Sequence, residues 1–109
     1  MLPKAIKIGG MVYQVKIDQT LAITREKLGE YVPFYQEIVI ASGAPEDQQN
    51  ETLLHEIIEA VNNHCELRLE HHQIQTLSFQ LHQVLKDNGL FFGGTTKEVG
   101  CDGDTSTAT

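Results

Sequence analysis

The fold of this 109-residue chain is decided by one stretch, TLLHEIIEAV at residues 52–61. Its apolar side chains recur every three or four residues, which is the period of an α-helix with one buried face. This apolar stripe consists of Leu54, Ile57, Ile58, Val61 and Cys65. Proline and acidic residues precede the stripe and suit the first turn of a helix. We therefore predict a helix from about Pro45 to Asn63.

A second helical pattern follows after a short connection, from about Glu70 to Asp87. It stops at Asn88-Gly89, which is a usual signal for the end of a helix. Its apolar stripe consists of Ile74, Leu77, Leu81, Val84 and Leu85. Because the connection is short, we expect the two helices to be antiparallel neighbours, with this stripe facing the first helix.

The residues before the first helix predict a small β-sheet. Lys4–Ile8 and Met11–Ile17 alternate apolar and polar residues around Gly9-Gly10, which fits two strands joined by a tight hairpin. Phe34–Ala41 ends in a β-branched run and predicts a third strand. The segment Leu21–Gly29 suits either a short helical turn or a loop. The predicted fold class is therefore α+β, with a small three-stranded, mostly antiparallel sheet followed by two antiparallel helices.

Length and composition limit the possible functions. A chain of this length, with 40% hydrophobic and 21% charged residues, suits one folded domain with a small core. We place that domain at residues 1–92 and a polar, flexible tail at residues 93–109, where threonine is frequent. The 15 acidic residues outnumber the 8 basic ones and give a net charge of −7, which argues against a nucleic-acid partner.

The chain also lacks the signals of a membrane or secreted protein. No segment approaches the roughly 20 apolar residues of a membrane span, and no secretion signal is recognisable. We therefore expect no membrane partner and a cytoplasmic location. In that compartment Cys65 and Cys101 are expected to be free thiols.

Two potential metal ligands lie on one face of the first predicted helix. His55 and Glu59 are four residues apart, so their side chains project within about 40° of each other and can reach one ion. At the start of the second helix, His71 lies on the face expected to meet the first helix. His72 points about 100° away from His71 and stays open as the alternative third ligand.

Two imidazoles and one carboxylate leave a fourth tetrahedral position for water, as in catalytic zinc sites. Zinc lowers the pKa of its bound water toward about 7, and Glu56, next to the first ligand, is placed to accept a proton from that water. The sequence thus predicts a Zn²⁺ cofactor held by His55, Glu59 and His71, with Glu56 as the catalytic base of a hydrolysis.

The segment Thr52–Ala60 resembles the active-site helix of minigluzincins and related prophage-encoded zinc peptidases. The hairpin, the strand ending at Ile40 and the helix ending at Asn88 are similar to the same family, so the resemblance covers about residues 4–90. The family pattern is His-Glu-x-x-His with a downstream Glu ligand. Here Glu59 stands at the second His position and His71 at the downstream Glu position, so the two-His, one-Glu set is kept with two ligands exchanged.

This resemblance implies a zinc-dependent metallopeptidase of minimal zincin-like fold, acting on a peptide or protein substrate. Its location would be the host-cell cytoplasm if a phage encodes it. The resemblance further implies that the strand Glu37–Ala41 forms the edge of the cleft, where extended peptides would pair with it. The side chain that would stabilise the reaction intermediate is left open among four candidates, which are His64, His72, Tyr31 and Tyr35.

The same residues also have a non-catalytic interpretation. A His-Glu-x-x-Glu string occurs by chance on exposed helix faces, where Glu56 and Glu59 would be solvated and His55 half-buried. The alternative function is a phage accessory protein that keeps the fold, with or without a bound metal, and acts by binding another protein. His64 and His82 suit surface or boundary positions, because neither combines the required helix face with the start of the second helix.

Overall fold

A computed structural model describes residues 2–24 and 26–90 of the chain. The two N-terminal segments that alternate apolar and polar residues form a β-hairpin. Strand β1 (Ala5–Ile8) pairs antiparallel with β2 (Met11–Asp18), with Ile8 opposite Met11. Gly9 and Gly10 both have positive φ angles, 59° and 84°, which the tight turn requires and which glycine adopts at little cost. The predicted hairpin is confirmed.

The sheet has four strands, whereas the sequence predicted three. After β2 come a single helical turn α1 (Leu21–Thr24), the short strand β3 (Gly29–Val32) and β4 (Glu37–Ala41). The strand order is β1-β2-β4-β3. The β2–β4 pair is parallel, so the sheet is mixed rather than mostly antiparallel. The prediction failed here because β3 has only four residues and no alternation of apolar and polar side chains.

Two helices follow the sheet, as predicted, and their bounds agree closely with the sequence pattern. Helix α2 spans Glu46–Cys65 and helix α3 spans His71–Asp87. Two contacts show that the helices are antiparallel. Lys86 near the end of α3 donates to Asp47 at the start of α2, and the Leu69 amide donates to Asn62 near the end of α2.

The hydrophobic core lies between the sheet and α2. Its buried residues are Ile8, Tyr13, Ile38, Ile40, Leu53 and Ala60. The buried arc of α2 therefore differs from the predicted stripe, of which Val61 and Cys65 are exposed. The reason is that α2 packs against both the sheet and α3, so residues on more than one side of the helix are buried. A single apolar stripe does not show which residues lie in the middle of that buried surface.

Helix α3 packs against α2, and only Ile74 and Ser78 in α3 are fully buried. The predicted apolar stripe of α3 is therefore only partly covered, since Leu77, Leu81 and Val84 are 42%, 42% and 46% exposed. The predicted tail at residues 93–109, with Cys101, lies outside the described residues. No helix in the described part of the chain is long and apolar enough to cross a membrane.

Candidate metal centre and cleft

The N-terminal half of α2 buries a run of polar side chains, which is unusual for a surface helix. Asn50, Glu51, Thr52, His55 and Glu56 are all less than 10% exposed. Buried polar and charged groups are costly unless they are paired or bind an ion. This side of α2 is therefore not a solvated helix face, and Glu51, Thr52, His55 and Glu56 line a cleft.

Three potential metal ligands, His55 of this run together with Glu59 and His71, come together at one point. His55 Nε2 lies 3.4 Å from Glu59 Oε2, as expected for residues one helical turn apart. The His71 ring, at the first residue of α3, has its centroid 5.3 Å from that of His55. One potential ligand atom of each residue lies within 4.8 Å of the other two, and this group could hold a metal ion.

The geometry of this group suits a small tetrahedral cation. Metal–ligand distances of about 2.0–2.2 Å for nitrogen and oxygen place two ligand atoms of a tetrahedral site about 3.4 Å apart. His55 Nε2 and Glu59 Oε2 already have that separation. The ligand atom of His71 lies within 4.8 Å of both, so a small movement of its side chain would complete the site. His72, the alternative ligand, is exposed instead, and its Nδ1 atom lies 3.7 Å from Glu70 Oε1.

Glu56 lies in the same cleft as the three ligands. It is 7% exposed, and burial raises the pKa of its carboxyl group from the usual 4.5 to about 7. Burial is the largest cause of this rise; the neighbouring Glu59 contributes in the same direction, and Lys27 acts in the opposite direction. A carboxyl group with a pKa near neutrality can both accept and return a proton at physiological pH.

The cleft has a volume of about 620 Å³ and lies between two walls. One wall is the polar face of α2 together with the start of α3. The other is residues 26–31, which include the first three residues of β3. The prediction that the strand Glu37–Ala41 forms the edge of the cleft is wrong, because this strand is β4, which lies inside the sheet between β2 and β3. The strand at the cleft is β3, which the sequence pattern did not reveal.

Gly29 allows β3 to lie directly against α2. A Cβ atom at this position would lie 2.5 Å from Thr52 Cγ2 and 3.1 Å from Glu56 Oε2. Both contacts are closer than ordinary van der Waals distances. Gly29 is therefore needed for close packing beside the Glu56 carboxyl group.

A cluster of aromatic side chains lies at the Tyr31 end of the cleft. Of the four candidates for stabilising a reaction intermediate, only Tyr31 lines the cleft. The hydroxyl of the fully buried Tyr13 forms a 2.6 Å hydrogen bond with His64 Nε2 and lies 3.4 Å from the Tyr31 hydroxyl. Asn63 donates to the Tyr31 hydroxyl. Burial raises the pKa of Tyr13 to about 12, so its hydroxyl stays protonated.

One buried pair in the wall was missed by the sequence interpretation. Ser78 Oγ in α3 donates a 2.6 Å hydrogen bond to Glu51 Oε2 in α2. Glu51 precedes His55 by four residues, as His55 precedes Glu59, so a spacing of four could have indicated Glu51. Nothing in the sequence indicated Ser78, which is 27 residues away from its partner.

Comparisons with known proteins gave no match, whether with protein-family models, with curated proteins or with solved structures.

Proposed function

We propose that this protein is a zinc-dependent metallopeptidase that hydrolyses peptide bonds with a metal-activated water. The observation that carries the proposal is the combination of two groups in one cleft. His55, Glu59 and His71 form a potential ligand set, and beside it Glu56 is a buried carboxyl group with a pKa of about 7. Neither an exposed helix face nor an ordinary core position accounts for both groups.

The donor atoms favour zinc as the bound ion. Two imidazoles and a single carboxylate match the ligand types of catalytic zinc sites, whereas Mg²⁺ and Ca²⁺ prefer ligand sets of oxygen atoms alone. Three protein ligands leave the fourth tetrahedral position free for water. The resemblance of residues 52–60 to the minigluzincin active-site helix supports the same choice.

Glu56 would act as general base and then as general acid. Bound zinc supplies a water molecule whose pKa is lowered to about 7. Glu56 accepts a proton from this water during attack on the peptide carbonyl, and then gives the proton to the leaving amine. In the metal-free protein burial raises the pKa of Glu56 to about 7, and the positive charge of a bound zinc ion would lower it and favour the carboxylate that accepts the proton.

Strand β3 would bind the substrate. It is a terminal strand of the sheet and lines the cleft beside Glu56. An extended peptide can pair with the main chain of such a strand, which positions a peptide bond independently of its side chains. Peptides and unfolded protein segments are therefore the substrate class that we propose.

A non-catalytic accessory protein is the second candidate function. The observation that favours it is the exposure of Leu77, Leu81 and Val84 along α3, because apolar surface of this kind commonly marks a protein-binding site. Such a protein would act with or without a bound metal, and any bound metal would have a structural role.

A cleavage assay separates the two functions. Zinc-loaded protein should cleave an unstructured protein substrate, whereas the Glu56→Gln variant should keep its zinc and lose roughly a hundredfold or more of the rate, in the range of general acid–base catalysis. The matched control is Glu46→Gln, at an exposed position in the same helix, which should cleave at the wild-type rate. Equal behaviour of wild type and Glu56→Gln would exclude the peptidase and favour the accessory protein.

A further inference from the structure

We propose that the buried hydrogen bond from Ser78 to Glu51 fixes the position of α3 on α2 and thereby brings His71 to the metal site. This inference rests on the proposed metal site and assigns the two residues a positioning role within it. Ser78 is fully buried, Glu51 is nearly so, and the distance between Oγ and Oε2 is 2.6 Å. This hydrogen bond directly joins the facing, buried sides of the two helices that carry the ligands.

The apolar contacts of α3 do not define its position well. Only Ile74 and Ser78 are fully buried in this helix, and Leu77, Leu81 and Val84 remain about two-fifths exposed. Ile74 is the one apolar side chain of α3 that is fully buried, so few apolar contacts oppose rotation or sliding of this helix. A slip of one residue would move the helix by about 1.5 Å along its axis and turn His71 by about 100°. His71 would then no longer face His55.

The positions of the pair match those of the ligands. Ser78 follows His71 by seven residues, which is almost two full turns, so both lie on the same side of α3. Glu51 precedes His55 by four residues and lies on the same side of α2. Since the helices are antiparallel, going two turns back from Ser78 to the start of α3 corresponds to going from Glu51 toward the end of α2. Pairing Ser78 with Glu51 therefore brings His71 to the level of His55 and Glu59, and its ring centroid lies 5.3 Å from that of His55.

The chemistry of the pair fits a positioning role better than a purely stabilising one. A carboxylate loses much of its hydration on burial, and apolar pairs of similar size are often equally stable or more stable. Glu51 receives hydrogen bonds only from neutral donors in the described contacts, namely the Ser78 hydroxyl and the Gln48 amide at 3.2 Å. A directional bond of this kind can select one register between two helices.

Zinc affinity tests the proposal without relying on catalysis. The dissociation constant for Zn²⁺ is measured for the full chain by competition with a chromophoric chelator, and unfolding of the metal-free protein is followed in urea. Ser78→Ala removes the donor, and Glu51→Leu removes the acceptor while keeping a side chain of similar size. Each should weaken zinc binding roughly tenfold, which is the lower end of the effect of losing a group bonded directly to a ligand, because this pair acts through the position of the helix.

Two further variants separate positioning from other effects. Glu51→Gln keeps an oxygen that can accept the Ser78 hydrogen bond but removes the charge, and it should bind zinc within about threefold of wild type. Lys86→Met breaks the exposed Lys86–Asp47 ion pair between the same helices, and it should leave the zinc affinity unchanged.

Wild-type zinc affinity in Ser78→Ala would overturn the proposal, whatever the change in stability. A loss in Glu51→Gln as large as in Glu51→Leu would also overturn it, because the negative charge rather than the hydrogen bond would then be responsible. Failure of the peptidase function would leave these affinities unaffected and would be seen only in the cleavage assay.

Discussion

Replacing Glu56 by glutamine should stabilise the metal-free protein, and the gain should depend on pH. The pKa of Glu56 rises from 4.5 in the unfolded chain to about 7 in the fold, mainly because burial disfavours the charged carboxylate. At pH values below about 4.5 the group is protonated in both states and costs nothing. Between about pH 4.5 and 7 the unfolded chain loses this proton more readily than the folded chain, so the free energy of unfolding falls as the pH rises.

The size of this effect follows from the pKa difference. Each pKa unit corresponds to 1.36 kcal/mol, so a rise from 4.5 to about 7 amounts to about 3 kcal/mol above pH 7. Glutamine has nearly the same shape and no titratable group. Glu56→Gln should therefore raise the free energy of unfolding by up to about 3 kcal/mol at pH 8 and by little at pH 4.5.

Urea unfolding of the metal-stripped wild type and Glu56→Gln at these two pH values measures the effect. The exposed Glu46→Gln change is the control, and it should not reproduce the gain. A stability difference between Glu56→Gln and wild type that is the same at pH 4.5 and pH 8 would refute the reasoning. It would mean that Glu56 is as well hydrated in the fold as in the unfolded chain.

Further predictions concern the cleft wall and the aromatic cluster. Gly29→Ala should destabilise the fold by about 1–3 kcal/mol, since its Cβ would lie 2.5 Å from Thr52 Cγ2. Adding Thr52→Ser removes that methyl group and should restore part of the loss in urea unfolding; no recovery would show that the strain lies elsewhere. Tyr13→Phe removes the 2.6 Å hydrogen bond to His64 and should cost about 1 kcal/mol while leaving zinc affinity unchanged. A zinc titration that shows weaker binding by Tyr13→Phe would contradict this separation of roles.

Periodicity was sufficient to predict both helices, because each carries enough apolar residues at helical spacing to define a stripe. It did not predict β3, since four residues of mixed polarity carry no period that distinguishes a strand from a loop. It also could not predict the parallel β2–β4 pair, which depends on how the intervening segment returns across the sheet. The exposure of Leu77 and Leu81 was missed because a stripe shows which side of a helix is apolar, but not how much of that side a neighbour covers.

The candidate site was partly predictable for a related reason. His55 and Glu59 lie on one helix, so their proximity follows from the helical repeat alone. His71 could be added because a short connection makes the helices antiparallel. Ser78 could not be paired with Glu51, because their contact depends on the axial register of two helices, and that register is set by contacts distant in sequence.

The most direct test of the central claim is the zinc content of purified, zinc-replenished protein, measured by atomic emission for the wild type and for alanine variants. We expect about one zinc per chain in the wild type and loss of that zinc in His55→Ala, Glu59→Ala and His71→Ala. His72→Ala, next to the third ligand but outside the group, should keep it. Stoichiometric zinc that persists in both His55→Ala and Glu59→Ala would contradict the proposed metal centre.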